Sequence, residues 1–142
     1  MEIKLDFNSV KKMFFDRAAV RRNVDVRTRK VLSKFGAHVR QTSKRSIRKR
    51  KGTSQPGKPP FSHTGTLKRF IFFGYDQSRR SVVIGPVIVP GKKGVAPSVL
   101  EYGGRINHPD GFRADIKARP YMGPAFKREL QNLPNIWLTI IK

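Results

Sequence analysis

The segment from residue 17 to residue 51 constrains the fold more than any other part of this 142-residue chain. It contains 14 Lys and Arg residues but a single acid, Asp25. Its apolar residues fall close to a seven-residue, four-then-three spacing, with Thr28 and Thr42 or Ser43 filling gaps, which is the period of a helix with one buried face. This apolar stripe consists of Val20, Val24, Val31, Phe35, Val39 and Ile47. We therefore predict a helix of about 30 residues, capped by Asp16 and ended by Gly52.

The net charge indicates what the chain meets. Lys and Arg number 31 against 9 Asp and Glu, which gives a formal net charge of +22. Such a charge opposes compaction, so it points to a polyanionic partner. Nucleic acid is the first candidate, and an anionic membrane surface or an acidic protein are the alternatives. The absence of cysteine excludes disulfides and Cys-based zinc or redox sites.

Three further segments predict extended structure. Alternating apolar and charged residues at 2–8 predict a short strand. Residues 52–63 form an arm that is rich in Pro and Gly. Within the predicted long helix, small residues such as Gly36 lie beside the apolar stripe and permit close packing of another element. Residues 67–75 and 81–89 predict an antiparallel hairpin, in which Pro86 lies at an edge or at the end of its strand.

The C-terminal third predicts short helices. These are expected at 98–102 and 125–132, with extended chain at 116–119 and Pro134 either kinking the last helix or starting another turn. The whole chain, 1–142, is therefore predicted to be a single α+β domain. Its long basic N-terminal helix packs on a small mainly antiparallel sheet, with a short C-terminal helix and extended loops.

No pattern predicts catalysis or a bound metal or cofactor. The three His residues accompany no nucleophile elbow, and His63, His108, Asp110 and Asp115 lack the spacing of a metal motif. Nine acids are a poor supply of carboxylates for a magnesium-dependent nuclease. The loop at 91–94 lacks the residues of a phosphate-binding loop. We therefore predict that the chain is not an enzyme and has no cofactor.

The basic residues near the end of the long helix are predicted to contact DNA phosphates or acidic neighbours. Phe35 alone interrupts the basic segment with an aromatic ring, which argues against a stacking platform for single strands. No helix-turn-helix, zinc finger or RNA-recognition signature indicates base readout. The predicted contact residues are Arg40, Lys44, Arg45, Arg48, Lys49, Arg50 and Lys51.

The sequence predicts neither a membrane span nor a secretory signal. The first residues alternate apolar and charged side chains, so they lack the apolar core of a signal peptide. The uncharged stretch at 81–91 is too short to cross a bilayer. The basic run at 48–51 has the composition of a nuclear import signal, but such runs arise by chance in a chain this basic.

Three segments that follow the basic helix resemble one family when taken in order. They are Pro56-Gly57-Lys58-Pro59-Pro60 with His63-Thr64-Gly65-Thr66-Leu67, then Val99-Leu100-Glu101-Tyr102-Gly103, then Ala118-Arg119-Pro120-Tyr121-Met122-Gly123-Pro124-Ala125-Phe126. In this order they resemble the tail-completion (neck, head–tail joining) proteins of long-tailed bacteriophages, over residues 17–132.

The resemblance implies a structural virion protein that acts in the neck and resides in the host cytoplasm during assembly. Such subunits form a homo-oligomeric ring, of six or twelve copies here, whose channel passes genomic DNA without sequence specificity. Portal-side adaptor or stopper proteins and tail terminator or tail tube proteins would be its partners. A nucleic-acid-binding protein of ribosomal or nucleoid type is the alternative, and it has no reason to carry the Leu-Glu-Tyr-Gly and Ala-Arg-Pro-Tyr segments. A small nuclease is a further alternative, which the small number of carboxylates disfavours.

The resemblance also assigns residues to roles. The subunit interface is expected to include Pro56, Pro59, Pro60, Phe61, Lys92 and Lys93. The structural motif residues are Gly65, Leu67, Leu100, Glu101, Tyr102, Gly103, Arg119, Pro120, Tyr121 and Pro124. Among them, Arg119 is expected to form a charge-assisted pair with Glu101. The arm is expected to be loose in a single subunit and ordered in the ring.

Overall fold

A computed structural model of the chain describes residues 16–88, 96–107, 111 and 113–141. The strand predicted at 2–8 and the loop lysines Lys92 and Lys93 lie outside this part of the chain. In chain order, the described elements are α1 (Arg17–Ser46), α2 (Thr66–Arg69), β1 (Ile71–Asp76), β2 (Ser81–Pro86), α3 (Ala96–Tyr102), β3 (Gly104–Asn107), β4 (Arg113–Ile116), α4 (Met122–Leu130) and α5 (Leu133–Ile141).

The long basic helix α1 confirms the predicted start. The Oδ1 atom of Asp16 accepts hydrogen bonds from the amides of Ala18 and Ala19, at 2.9 and 3.0 Å. These bonds satisfy donors that have no partner within the helix. The C-terminal part of the apolar stripe is buried, whereas Val20 and Val24 are more than half exposed. Only the second half of α1 therefore contributes its stripe to the core.

The end of α1 differs from the prediction. The helix stops at Ser46, and Ile47 takes an extended conformation with φ −80° and ψ 113°. Ile47 is 1% exposed and packs with Ile71 and Tyr121 in a buried cluster. Burying this side chain turns the backbone out of the helix, so the basic run at 48–51 follows α1 and does not form its last turn.

The predicted antiparallel hairpin is confirmed. Its first strand begins later than predicted, because residues 66–69 form a helical turn. Strands β1 and β2 are antiparallel, with a register from Ile71 opposite Pro86 to Asp76 opposite Ser81. Pro86 lies at the end of its strand, as predicted. Residues 66–69 form α2, which begins after Gly65 at φ 76°, a left-handed conformation that favours glycine.

The β1–β2 hairpin packs directly on α1. A Cβ atom on Gly36 would stand 2.7 Å from a methyl of Val82 and 2.9 Å from the ring of Phe73. The prediction that Gly36 permits close packing is therefore confirmed. The main core forms where Val31, Phe35 and Val39 of α1 meet Ala125 and Ile136, with Val82 and Ile84 packed against it.

The remaining elements include a hairpin that the sequence did not predict. β3 and β4 pair antiparallel, with Arg105 opposite Asp115 and Ile106 opposite Ala114. Helix α3 ends as expected at Gly103, whose amide donates to the carbonyl of Val99. Pro134 lies in the first turn of a separate helix, α5. The prediction of an α+β architecture with a long helix and small antiparallel sheets is confirmed. No helix of the described residues is long and apolar enough to cross a membrane.

Candidate nucleic-acid interface

The predicted basic residues lie at one end of the molecule, which we call the basic end. It comprises Arg40, Lys44, Arg45, Arg48, Lys49, Arg50 and Lys51, together with Lys68 of α2. Arg40 and Lys44 are half-buried, and the other members are exposed. Their charges therefore face solvent in a form that phosphate groups can reach.

Two of these cations, Arg40 and Lys44, lie close to the ring of Phe72. The Nε atom of Arg40 donates to the carbonyl of Ile71 at 2.9 Å, which anchors the side chain along β1. The guanidinium carbon of Arg40 and the Nζ atom of Lys44 each lie 5.7 Å from the ring centroid of Phe72. Both distances are within the range of a cation–π interaction. Phe72 and Lys68 were not predicted as site residues.

Uncompensated positive charge acts on Lys44. Burial lowers its pKa, and the charges of Arg40 and Lys68 lower it further. Like charges disfavour the protonated form of a lysine. A phosphate placed among these three side chains would reverse this effect, so the cluster favours an anion.

The arm is packed against the rest of the chain, which corrects the expectation that it is loose in a single subunit. Phe61 of the arm forms a parallel β-bridge with Arg48, which precedes the arm, and the guanidinium of Arg50 lies 5.5 Å from the Phe61 centroid. The amide of Gly57 donates to the carbonyl of Ala118 at 2.8 Å. Of the predicted interface prolines, Pro60 is buried, Pro59 is half-buried and Pro56 is exposed.

Arg119 ties the arm down and does not pair with Glu101, so the expected ion pair is wrong. Its Nε atom donates to the carbonyl of Ser54 at 3.0 Å, and its amide donates to the carbonyl of Leu100. The side-chain donor of Arg119, which was expected to bind the Glu101 carboxylate, therefore binds a backbone carbonyl instead. Ser54 is buried, and its Oγ atom has no hydrogen-bond partner.

We expect Arg119→Ala to release the arm without unfolding the core. The substitution removes the bond to Ser54, so the amide of Gly57 should exchange with solvent at least tenfold faster. Hydrogen–deuterium exchange of peptides covering residues 52–60 measures this change. Arg113→Ala, at an exposed cation of β4, is the control. Unchanged exchange in the Arg119 variant would show that the arm is held by other contacts.

Glu101 binds the start of α4. Its Oε2 atom accepts from the amides of Tyr121 and Met122 at 2.9 and 3.0 Å, and its Oε1 atom accepts from Gly123 at 2.7 Å. Burial and the charge of Glu101 raise the pKa of Tyr121 to about 12. A carboxylate at a helix N-terminus is favoured by both the free amides and the helix dipole.

The three segments that carry the family resemblance therefore meet at one joint. Leu67 from the first and Leu100 from the second pack against the cluster that contains Tyr121 from the third. Glu101 and the amide of Arg119 add the hydrogen bonds across this joint. Tyr102, by contrast, is 82% exposed. Most of the motif residues thus build the fold, and five of them also line an apolar cleft: Leu67, Leu100, Glu101, Tyr102 and Tyr121.

Most described carboxylates are engaged in similar structural roles. Asp25 pairs with Arg80 at 3.3 Å, and Asp76 accepts from the amides of Ser78 and Arg79 in the β1–β2 turn. Asp16 and Glu101 cap helices, as described above. No group of three or more His, Cys, Asp or Glu residues that could hold a metal ion occurs in the described ranges. Because these acids have partners elsewhere, they leave the basic end uncompensated.

Glu129 is a buried carboxylate, and the contribution of its hydrogen bond with Thr42 can be tested by substitution. Its Oε1 atom accepts a 2.6 Å hydrogen bond from Thr42, which lowers the pKa of Glu129 despite the opposing effect of burial. A carboxylate with a lowered pKa in the folded state stabilises the fold above its unfolded pKa. This contribution is lost as the pH falls through the folded pKa.

We expect Thr42→Val to lower the free energy of unfolding by about 1.5 kcal/mol at pH 7, because it removes a hydrogen bond to a charged group. The difference from the unsubstituted protein should shrink as the pH falls below 4.5, the ordinary value for Glu129. Urea unfolding at several pH values measures both effects. Thr139→Val, at an exposed helical threonine, is the control. A difference that is constant with pH would contradict the role of Glu129.

An apolar cleft lies on the side of the β1–β2 hairpin near α3. Its volume is 550 Å³, and its lining includes Phe70, Pro86, Ile88, Tyr102 and Met122. Ile88 and Tyr102 are 68% and 82% exposed. Among the described residues, the lining includes a single charged side chain, Glu101, whose oxygens bind backbone amides. This surface therefore differs in character from the basic end.

No protein-family model, curated protein or solved structure matches the chain.

Proposed function

We propose that the chain is a structural subunit of a tailed-phage neck, which forms a ring that joins head to tail and borders the DNA channel. The observation that supports this most is the joint formed by Leu67, Leu100, Glu101 and Tyr121. The segments that resemble the neck family make a structural framework, as a subunit of an assembly requires. Their residues do not form a constellation of nucleophile, base and acid.

Charge supports a contact with the DNA backbone. In the part of the chain that the structure describes, the cations of the basic end form no ion pair with a carboxylate, so the basic end fits a sequence-independent phosphate contact. Copies of so basic a subunit repel one another, and a ring needs DNA or acidic neighbouring rings to compensate them. Apolar surface, such as the cleft beside Ile88 and Tyr102, is the kind that can join like-charged copies.

The same basic end also fits the alternative, a nucleic-acid-binding protein of ribosomal or nucleoid type. Assembly separates the two proposals. Negative-stain microscopy and mass photometry of the purified full chain should show closed rings of six or twelve copies. A reconstruction of the virion should place the chain between portal and tail tube. A monomer that forms a salt-sensitive RNA complex without rings would favour the alternative and overturn the neck assignment.

The face that meets DNA can be identified by salt dependence. We expect the double substitution Arg45→Gln and Lys49→Gln to reduce the slope of log affinity against log salt by about 2 for duplex DNA, since each phosphate contact contributes roughly one unit. The matched pair Arg21→Gln and Arg22→Gln removes the same charge from the exposed start of α1. Equal slopes for both pairs would show that the basic end has no special role.

A further inference from the structure

Phe72 lies on the more exposed face of the β1–β2 hairpin. It is 46% exposed, and its partner across the hairpin is Gly85. Gly74, the next β1 residue on the same face, is also a glycine. A Cβ atom added to Gly74 or Gly85 would meet no atom within 4 Å. The glycines therefore leave room around the ring for a flat ligand.

The ring does not serve to cover these glycines. An aromatic side chain that shields a glycine across a sheet lies over its Cα, which would place ring atoms near the added Cβ. Phe72 instead lies close to Arg40 and Lys44, which are one helical turn apart on α1. The fold thus brings an exposed aromatic ring and cations together, although the sequence separates them.

We propose that Phe72, Arg40 and Lys44 form a binding site for unpaired nucleotides of a nucleic-acid strand. One base stacks on Phe72, and the cations hold the phosphates on either side of it. This inference rests on the proposed function in that nucleic acid is the partner. Stacking on aromatic rings is the usual way in which proteins bind single strands without sequence preference.

The chemistry of the site distinguishes unpaired strands from other partners. A duplex keeps the faces of its bases inside the stack, so it can use the cations but not the ring. A second copy of the chain offers few free carboxylates, because most of those described cap helices, hold turns or form ion pairs. A strand with exposed bases and phosphates is the partner that uses all three side chains.

The test measures fluorescence anisotropy of the full chain with three labelled probes: 20-nucleotide oligo(dT), 20-nucleotide oligo(U) and a 20-base-pair DNA duplex. Phe72→Leu should weaken oligo(dT) binding at least about fivefold, since stacking contributes that much per base, and should change duplex binding less than about twofold. Gly85→Val should have the same selective effect, because it fills the space beside the ring and leaves every charge in place. Comparison of oligo(U) with oligo(dT) shows whether the site prefers an RNA or a DNA strand, which differ here in both the sugar and the thymine methyl group.

Phe126→Leu is the matched control, because Phe126 is 44% exposed and packs edge-on against Phe35 at 5.6 Å, away from the site. Thermal unfolding of each variant confirms that the fold is retained. If Phe72→Leu leaves oligo(dT) binding unchanged, or weakens duplex binding equally, the stacking site is refuted and the proposed phosphate contact stands. If the unsubstituted chain binds none of the probes, both proposals fail.

Discussion

Replacing Glu101 with Ala is expected to lower the free energy of unfolding by about 3 kcal/mol, since hydrogen bonds to a charged acceptor contribute roughly 1.5 to 3 kcal/mol each and do not add fully. The carboxylate accepts from the amides of Tyr121, Met122 and Gly123. Without it, these half-buried donors lose their partner at the start of α4. Urea unfolding followed by circular dichroism measures the loss.

Two further variants separate the possible causes. Glu101→Gln retains one acceptor oxygen and loses the charge, so an intermediate loss is expected. Asp115→Ala removes an exposed carboxylate from β4 and should change stability by less than about 0.5 kcal/mol. A loss below about 1 kcal/mol for Glu101→Ala would mean that the joint does not depend on this carboxylate.

The local signals of the sequence correctly predicted the elements that depend on periodicity and caps. The start of α1 at Asp16, the β1–β2 hairpin and the end of α3 at Gly103 follow from neighbouring residues. The end of α1 could not be predicted in this way, because Ile47 leaves the helix to pack with residues far along the chain. Tertiary burial overrides helix propensity at this point.

The sequence contains only a weak periodic signal for the second hairpin, β3–β4. The exposed and half-buried residues of β4 alternate from Arg113 to Ile116, and Ile106 is half-buried between exposed neighbours in β3. Four-residue strands contain too few alternations to distinguish them from a loop by pattern alone. Between these strands the sequence has a strong turn signal, Asn107-His108-Pro109-Asp110-Gly111, which was the better indication of a hairpin.

The candidate site was predicted in part. Arg40 and Lys44 were identified from charge, but Phe72 was excluded by an argument that considered only aromatic residues within the basic segment. Proximity between α1 and β1 is a property of packing, and no spacing in the sequence expresses it. The partners of Glu101 and Arg119 were mistaken for a similar reason: backbone amides and carbonyls compete for charged side chains, and sequence motifs do not display them.

The close contact between α1 and the β1–β2 hairpin is the feature on which the site depends most. Arg40 can bond to the carbonyl of Ile71, and Lys44 can reach Phe72, only if β1 lies against the helix. Gly36 is the residue that allows this approach, since an added Cβ would stand 2.7 Å from Val82 and 2.9 Å from Phe73. A larger residue must displace the hairpin or distort the core.

We therefore expect Gly36→Val to lower the free energy of unfolding by about 3 kcal/mol, at the upper end of the usual cost of overpacking. Gly36→Ala should cost less, because the better helix propensity of Ala offsets roughly 1 kcal/mol of the clash. Lys34→Val is the control, since this exposed neighbour accepts the same β-branched side chain without a clash. Urea unfolding measures all three. Equal losses for Gly36→Val and Lys34→Val would show that the packing of the hairpin on α1 does not require a glycine at position 36. Other contacts would then have to hold Phe72 close to Arg40 and Lys44.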